Sequence, residues 1–345
     1  MKILVTGHHG YIGSVAGPML VEAGHDVTGL DTFFYEGCDL VPDSVEIPAL
    51  RMDLRDVTPE TLEGFEGIVH FAALSNDPLG ELDAELTRKI NLDGTVALAR
   101  AAKEAGVSRF VFASSCSMYG ASGTDDLIEE DAPLRPLTAY AESKVRAEEA
   151  LHQLADDDFA PVFMRNATAY GASPRFRFDV VLNNLSAWAF TTGRVLIMSD
   201  GTPWRPLVHV RDIVKAAASA LVAPHALVAD QAFNVGANKE NYRVSELADI
   251  VRDTFPACEI EYAEGAGPDP RSYRVDFAKL GRTLPEAKPV WTARDGVLEL
   301  FDAFRTVGLT MDSFDSYTRL ARLKVLLDEG ALDARLRWQH AAELA

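Results

Sequence analysis

Several things are scarce in this chain, and each scarcity excludes a class of function. There is no lysine- or arginine-rich run: 33 basic residues stand against 52 acidic ones, for a formal net charge of −19. Phosphate backbones are held by basic surfaces, so nucleic acid is excluded as a partner. Cysteines number three, Cys38, Cys116 and Cys258, far apart and odd in number. That fits reduced cytosolic thiols rather than a disulfide framework. The eight histidines form no HxxxH or HxH pair with a nearby acidic partner, so no metal site is expected. No apolar run approaches the roughly 18 residues of a membrane span, and no segment is of low complexity. The opening MKILVTG runs straight into a strand-and-glycine pattern, which predicts no signal peptide and a cytoplasmic protein.

What is present is ordinary folded material: 345 residues, 48% hydrophobic and 25% charged, enough for two domains or one large one. Over the first 170 residues, short β-branched or aromatic runs (KILVT, DVTGLD, GIVHFAA, RFVFASS, PVFMRNA) alternate with helical patterns. Those patterns are YIGSVAGPMLVEAG, LTRKINLDGTVALARAAKEAG and AYAESKVRAEEALHQLA. Strand–helix alternation of this length predicts βαβ units and a Rossmann-type, doubly wound parallel sheet in the α/β class. After Gly171 the rhythm changes, and from about residue 237 short helices and strands mix with Pro and Gly. The expected division is a dinucleotide-binding domain of residues 1–171 and 207–236. A smaller, interleaved mixed α/β substrate domain takes 172–206 and 237–345. In the tail from Met311, Leu320, Leu323 and Leu327 form one helical stripe closed by Gly330. That stripe suits packing on its own domain or docking on a partner.

The segment TGHHGYIGS places Gly7, Gly10 and Gly13 directly after the first strand, with Tyr11 and Ile12 between, and opens a helix. Glycines there let the backbone turn tightly and approach a pyrophosphate, which rests on the free N–H groups of the helix N-terminus. Asp31 closes the next strand, 18 residues beyond Gly13. A carboxylate at that point accepts bonds from adenosine ribose hydroxyls and repels a 2′-phosphate, so the expected cofactor is NAD rather than NADP. Asp53, with Leu54 beside it, is placed to meet the adenine edge.

YAESK sets Tyr140 and Lys144 four residues apart, on one face of a helix. For a tyrosine to act as a base near neutrality its pKa must fall by roughly 3, worth ~4 kcal/mol of preferential phenolate stabilisation. A lysine ammonium one turn away, together with a cationic nicotinamide, supplies that kind of stabilisation.

With TGHHGYIGS, Asp31, FAALSND, SSCSMYG, YAESK, RNATAYG, DGTPWRPLVHVRD and GPDPRSYRVD, the chain resembles the extended short-chain dehydrogenase/reductases. Within these it is similar to the NAD-dependent nucleotide-sugar epimerases and dehydratases, to about residue 305. The resemblance implies that Ser115 hydrogen-bonds the reacting sugar oxygen beside Tyr140, and that Lys144 also holds the nicotinamide ribose. It implies that Phe71, Ala72, Ala73 and Leu74 pass under the cofactor, with Ser75 next to them at the substrate. It aims Arg205 and Arg271 at the pyrophosphate of a nucleotide-diphosphate sugar, for which bidentate guanidinium contacts are suited. Thr168 falls at the substrate where the family has Asn, and Pro206 stands where an Asp usually follows the pyrophosphate arginine. The loop PRFRFDVVLNN is expected to line the nucleotide pocket through Asn183 or Asn184. The resemblance also implies a homodimer, paired through helices at about 83–105 and 138–154.

Which reaction follows the shared oxidation turns on the two positions after Ser115. Family 4,6-dehydratases carry Asp-Glu there and decarboxylases a Glu in the second, whereas this chain has Cys116 and Ser117. No carboxylate stands ready for a C5 proton, which favours C4 epimerisation, with Ser117 contacting substrate. Cys116 reads either as a thiol acid/base or as a small apolar filler. Two rivals are weighed. One is a dehydratase using Cys116, or a 4-ketoreductase, which Asp31 disfavours because such an enzyme needs exchangeable NADPH. The other is a non-catalytic dinucleotide sensor, against which the intact Ser115, Tyr140 and Lys144 speak.

Overall fold

The computed structural model describes residues 1–39, 45–75, 83–121, 126–255, 257–267, 269–314 and 317–339. Asn76 and Asp77 at the end of FAALSND, Pro268 within GPDPRSYRVD and residues 340–345 of the tail lie outside the described residues.

The expected parallel sheet forms, with seven strands among the described residues. Their order is Gln231–Val235, Ala160–Asn166, Arg109–Ser115, Gly67–His70, Lys2–Thr6, Asp26–Asp31 and Ala49–Arg51, every pairing parallel. Strand periodicity sorts the side chains onto two faces. Ile3, Val5, Val69, Val111 and Val162 enter one core with the helices Gly13–Glu22 and Val210–Val222. Leu4, Ile68, Phe110, Phe112 and Phe163 enter the other, with Thr95–Glu104 and Ala139–His152. Burial on both faces explains why these strands read as continuous apolar runs.

Two features depart from the sequence reading. Ala49–Arg51, three residues at the sheet edge, has too few apolar positions to announce itself and is held by pairing with Gly29–Asp31. The helical run after residue 84 is interrupted by a π-turn over Lys89–Gly94, which holds the buried Asn91 against the Leu74 backbone.

A third core gathers Leu182, Leu185, Val195, Leu247, Val251 and Val297. Beside it Trp204–His209 pairs parallel with Thr168–Tyr170 and antiparallel with Asn241–Arg243. A fourth cluster belongs to the tail. Leu323 and Leu326 of the helix Arg319–Asp328, with Leu332 and Leu336, pack on Phe34, Leu74 and Leu86. The leucine stripe therefore covers its own chain.

Candidate active site

The first strand is the sheet's switch point: the chain runs outward from it to one edge, then crosses to the other side. Ligands of such sheets bind outside the strand carboxyl ends at this point, and there a cavity of about 1130 Å³ opens. It exceeds the ~300–1,000 Å³ of a typical single-ligand pocket.

Its floor is the glycine turn. Gly7 has φ +71, and a Cβ there would come within 2.6 Å of the Ala72 backbone nitrogen. A Cβ on Gly13 would strike the Gly7 carbonyl oxygen at 2.1 Å. The helix Gly13–Glu22 has no side-chain cap at Ile12 and no acidic residue in its first turn. Its positive end is thus left for an anion. Gly10, Tyr11 and Ile12 line the cavity with them. The Tyr11 hydroxyl donates to the Gly171 carbonyl at 2.7 Å, tying the turn to the second half of the chain.

Asp31 also lines the cavity, and its carboxylate accepts from the His9 and Phe33 N–H groups at 3.0 and 2.9 Å. Asp53 and Leu54 lie at the same end, with the Asp53 carboxylate clamped by Arg55 at 2.6 and 2.8 Å. Burial pushes that carboxyl up, but the Arg55 and Arg337 bonds and charges outweigh it and hold it below its usual value. Phe71, Ala72, Ala73 and Leu74 form a wall. Leu74 is braced by Asn91, whose Oδ1 accepts from the Leu74 N–H at 2.8 Å while its Nδ2 donates to the Leu74 carbonyl at 3.0 Å. Sequence reasoning missed Asn91; its place between Ile90 and Leu92 in a mostly polar stretch gave little signal.

At the sheet's other half, Ser115, Ser117, Tyr140 and Lys144 line the same cavity. Ser115 caps a 3₁₀ turn: its Oγ accepts from the Ser117 N–H at 3.1 Å and donates to the Ser117 Oγ at 2.9 Å. Lys144 is 2% exposed. Its ammonium donates to the Ala113 carbonyl at 2.7 Å and stands 5.8 Å from the Tyr140 ring centroid. Burial drives its pKa down to about 7, against which the Glu148 carboxylate one turn along pulls upward. Glu148 is itself buried against Arg165 at 2.7 Å.

Cys116 does not reach the cavity. It is 0% exposed, sits in the sheet core and donates its S–H to the Arg165 carbonyl at 3.1 Å. Burial raises the thiol above its ordinary range, so it has neither access nor acidity and is a filler. Asn183 is a second correction: it is buried, accepting from the Gly171 N–H and donating to Tyr11 and Arg177, while Asn184 lines the cavity.

The far end holds Ser75, Thr168, Arg205 and Arg271. Both arginines converge on Asp269, Arg205 at 2.6 Å and Arg271 at 2.7 and 3.0 Å. The carboxylate beside Arg205 thus comes from residue 269 rather than from position 206, which is proline. Arg177 clamps Asp179 and donates to the Ser75 carbonyl at 3.0 Å and hydroxyl at 3.1 Å. Arg177, Asp179 and Asp269 lie within PRFRFDVVLNN and GPDPRSYRVD, but their contacts with Ser75, 102 positions from Arg177, and with Arg205, 64 positions from Asp269, carry no local signal.

Residues 3–236 match the model of the NAD dependent epimerase/dehydratase family. The chain is 33% identical over 308 residues to the UDP-glucose 4-epimerase of Corynebacterium glutamicum, covering 82% of this chain and 90% of that one. It is 28% identical over 347 residues to the UDP-glucose 4-epimerase of Bacillus subtilis, covering 92% and 99%. Among solved structures it is similar to MoeE5 in complex with UDP-glucuronic acid and NAD, with a TM-score of 0.77 and 26% identity over 89% of this chain and 99% of that one. A cradle that admits no side chain, an uncapped helix end, the Asp31 carboxylate and the Tyr140–Lys144 helix face line one cavity. The chain belongs to the NAD-dependent epimerase/dehydratase family and is an NAD-dependent enzyme.

Proposed function

We propose that this enzyme inverts C4 of a nucleotide-diphosphate sugar. The carrying observation is the inventory of carboxylates. Those lining the cavity, among the described residues, are Asp31, Asp53, Asp179 and Asp269. Asp31 is engaged by two backbone N–H groups, and each of the others is bonded to arginine. None sits at positions 116 or 117, so the acid and base of a sugar elimination are missing from beside Ser115, whereas inversion at C4 needs neither. The likeness to two UDP-glucose 4-epimerases agrees with this reading.

When bound, NAD supplies a hydride acceptor that can return what it takes. Gly7, Gly10 and Gly13 would cradle its diphosphate, Asp31 its adenosine ribose and Lys144 its second ribose. Tyr140 takes the C4 hydroxyl proton and later gives it back; the Lys144 cation lowers the cost of the intervening phenolate. The Ser115 hydroxyl orients the sugar oxygen, and Ser117 and Thr168 border the sugar. Arg205 and Arg271 carry two positive charges against one from Asp269, leaving net positive charge for the sugar nucleotide's diphosphate. On this reading residues 172–206 and those from 237 onward form the substrate side, and the active form is a homodimer.

Incubation with UDP-, dTDP- and GDP-sugars, followed by proton NMR, tests the proposal. A C4-inverted product without net change in dinucleotide is expected, and Tyr140→Phe should lower kcat by about 10²–10⁴-fold. Loss of water from the sugar, net consumption of NADPH, or an active Tyr140→Phe enzyme would overturn it.

A further inference from the structure

The tail places a charge where a helix of its kind has no use for one. Arg319 opens the helix Arg319–Asp328, whose Thr318 side chain makes no capping bond to it and donates instead to the Phe314 carbonyl at 3.1 Å. A cation in a first turn opposes the helix dipole. Yet Arg319 is 3% exposed, beside the apolar stripe, and lines the large cavity. One arm of its guanidinium donates to the Arg175 carbonyl at 2.6 Å, and the group stacks on the Tyr35 ring at 4.0 Å. Its other arm, Nη1, is buried with no hydrogen-bond partner among the described residues. The arginines around it are matched, Arg177 by Asp179 and Arg175 by Asp39. Arg319 makes no ion pair with any described carboxylate. A buried cation without an anion is disfavoured unless a ligand completes it.

Its neighbours say which ligand. Arg175, to which it is bonded, donates to His9 in the glycine turn at 3.3 Å. Tyr35 lies in the loop that follows Asp31. Further along the tail, the Trp338 indole donates to the Thr32 carbonyl at 2.7 Å, and Arg55 beside Asp53 donates to the Arg335 carbonyl at 2.8 Å. Every one of these anchors belongs to the dinucleotide end, whereas Arg205 and Arg271 serve the other. We infer that Arg319 is a cofactor-binding residue, a cation that the C-terminal segment carries over the glycine turn to meet the diphosphate of the dinucleotide. The segment 311–314 and 317–339 is then a strap that holds the cofactor in place between turnovers.

The inference rests on NAD occupying the glycine turn, and the test separates the two ideas. The purified full-length chain is freed of dinucleotide and titrated with NAD, ADP, adenosine and UDP. Relative to wild type, Arg319→Gln should bind NAD and ADP at least ~10-fold more weakly and release NAD faster on dilution, with adenosine and UDP within about twofold. Arg319→Lys, which keeps the charge without the fork, should fall between and guards against a Gln variant that fails to fold. Unchanged NAD and ADP affinity in a folded variant would overturn the inference alone, as would a loss confined to UDP, which would hand Arg319 to the substrate. A wild-type chain that binds no NAD would overturn the cofactor site and the inference together.

Discussion

Lys144 is a cation in a place that disfavours cations. In the unfolded chain it titrates near the ordinary 10.5, and in the cavity burial lowers it to about 7. Between those values the unfolded chain binds more protons, so this residue's contribution to stability rises with pH across that window and its full penalty stands below about 7. Replacing Lys144 by Met removes the penalty along with the charge proposed to support the Tyr140 phenolate. The expected outcome, in protein free of cofactor, is a Tm at pH 7 raised by at least ~2 °C, an advantage that shrinks toward pH 10.5, and loss of turnover. A variant that melts at or below wild type throughout would contradict this account. Residue identity alone made Tyr140, Lys144 and the glycines legible, because each does its work within one turn of its neighbours. Asn183 and Asn184 were not separable in the sequence because successive helix residues point about 100° apart, and a sequence gives the helix period more readily than its phase.

At the scale of the element, the helix Ala139–His152 presents Tyr140, Lys144 and Glu148 at successive turns of one face. Glu148 reaches away from the cavity to the buried Arg165, which in turn donates to the Tyr119 hydroxyl at 3.1 Å and the Glu130 carbonyl at 2.7 Å. One helix thereby links the Tyr140 phenol to the packing behind Cys116. Glu148→Gln leaves the Arg165 charge uncompensated and should cost about 3–5 kcal/mol in a chemical denaturation series. It also withdraws the charge that supports the Lys144 ammonium, so the alkaline limb of the kcat/KM–pH profile should move to lower pH. A limb that stays or moves upward would show that Glu148 acts on packing alone. The main strands were legible because both faces are buried. The edge strand Ala49–Arg51 and the π-turn at Lys89–Gly94 were not, since pairing and tertiary contact, rather than composition, create them.

On the scale of the whole molecule, the cavity draws on residues from Gly7 to Arg319, and the parts that escaped the sequence reading are those whose partners are far away. Asp269 meets Arg205 across 64 positions, and Arg319 meets Arg175 across 144. A ligand that touches so many separate elements should act on global unfolding. NAD at a hundred times its dissociation constant contributes about 2.7 kcal/mol, so a rise in Tm of several degrees is expected in a thermal scan. A rise of less than about 1 °C would count against a site that spans the sheet and its tail.

The closure of that site by residues 317–339 has a consequence for biogenesis. During synthesis the sheet and its glycine turn leave the ribosome well before the helix Arg319–Asp328 does. For that interval the groove is roofless, and a dinucleotide can settle in directly. Once the tail docks, the same molecule must wait for the roof to lift, so an enzyme that, as proposed, returns its hydride at every turnover has reason to be loaded once, while it is being made.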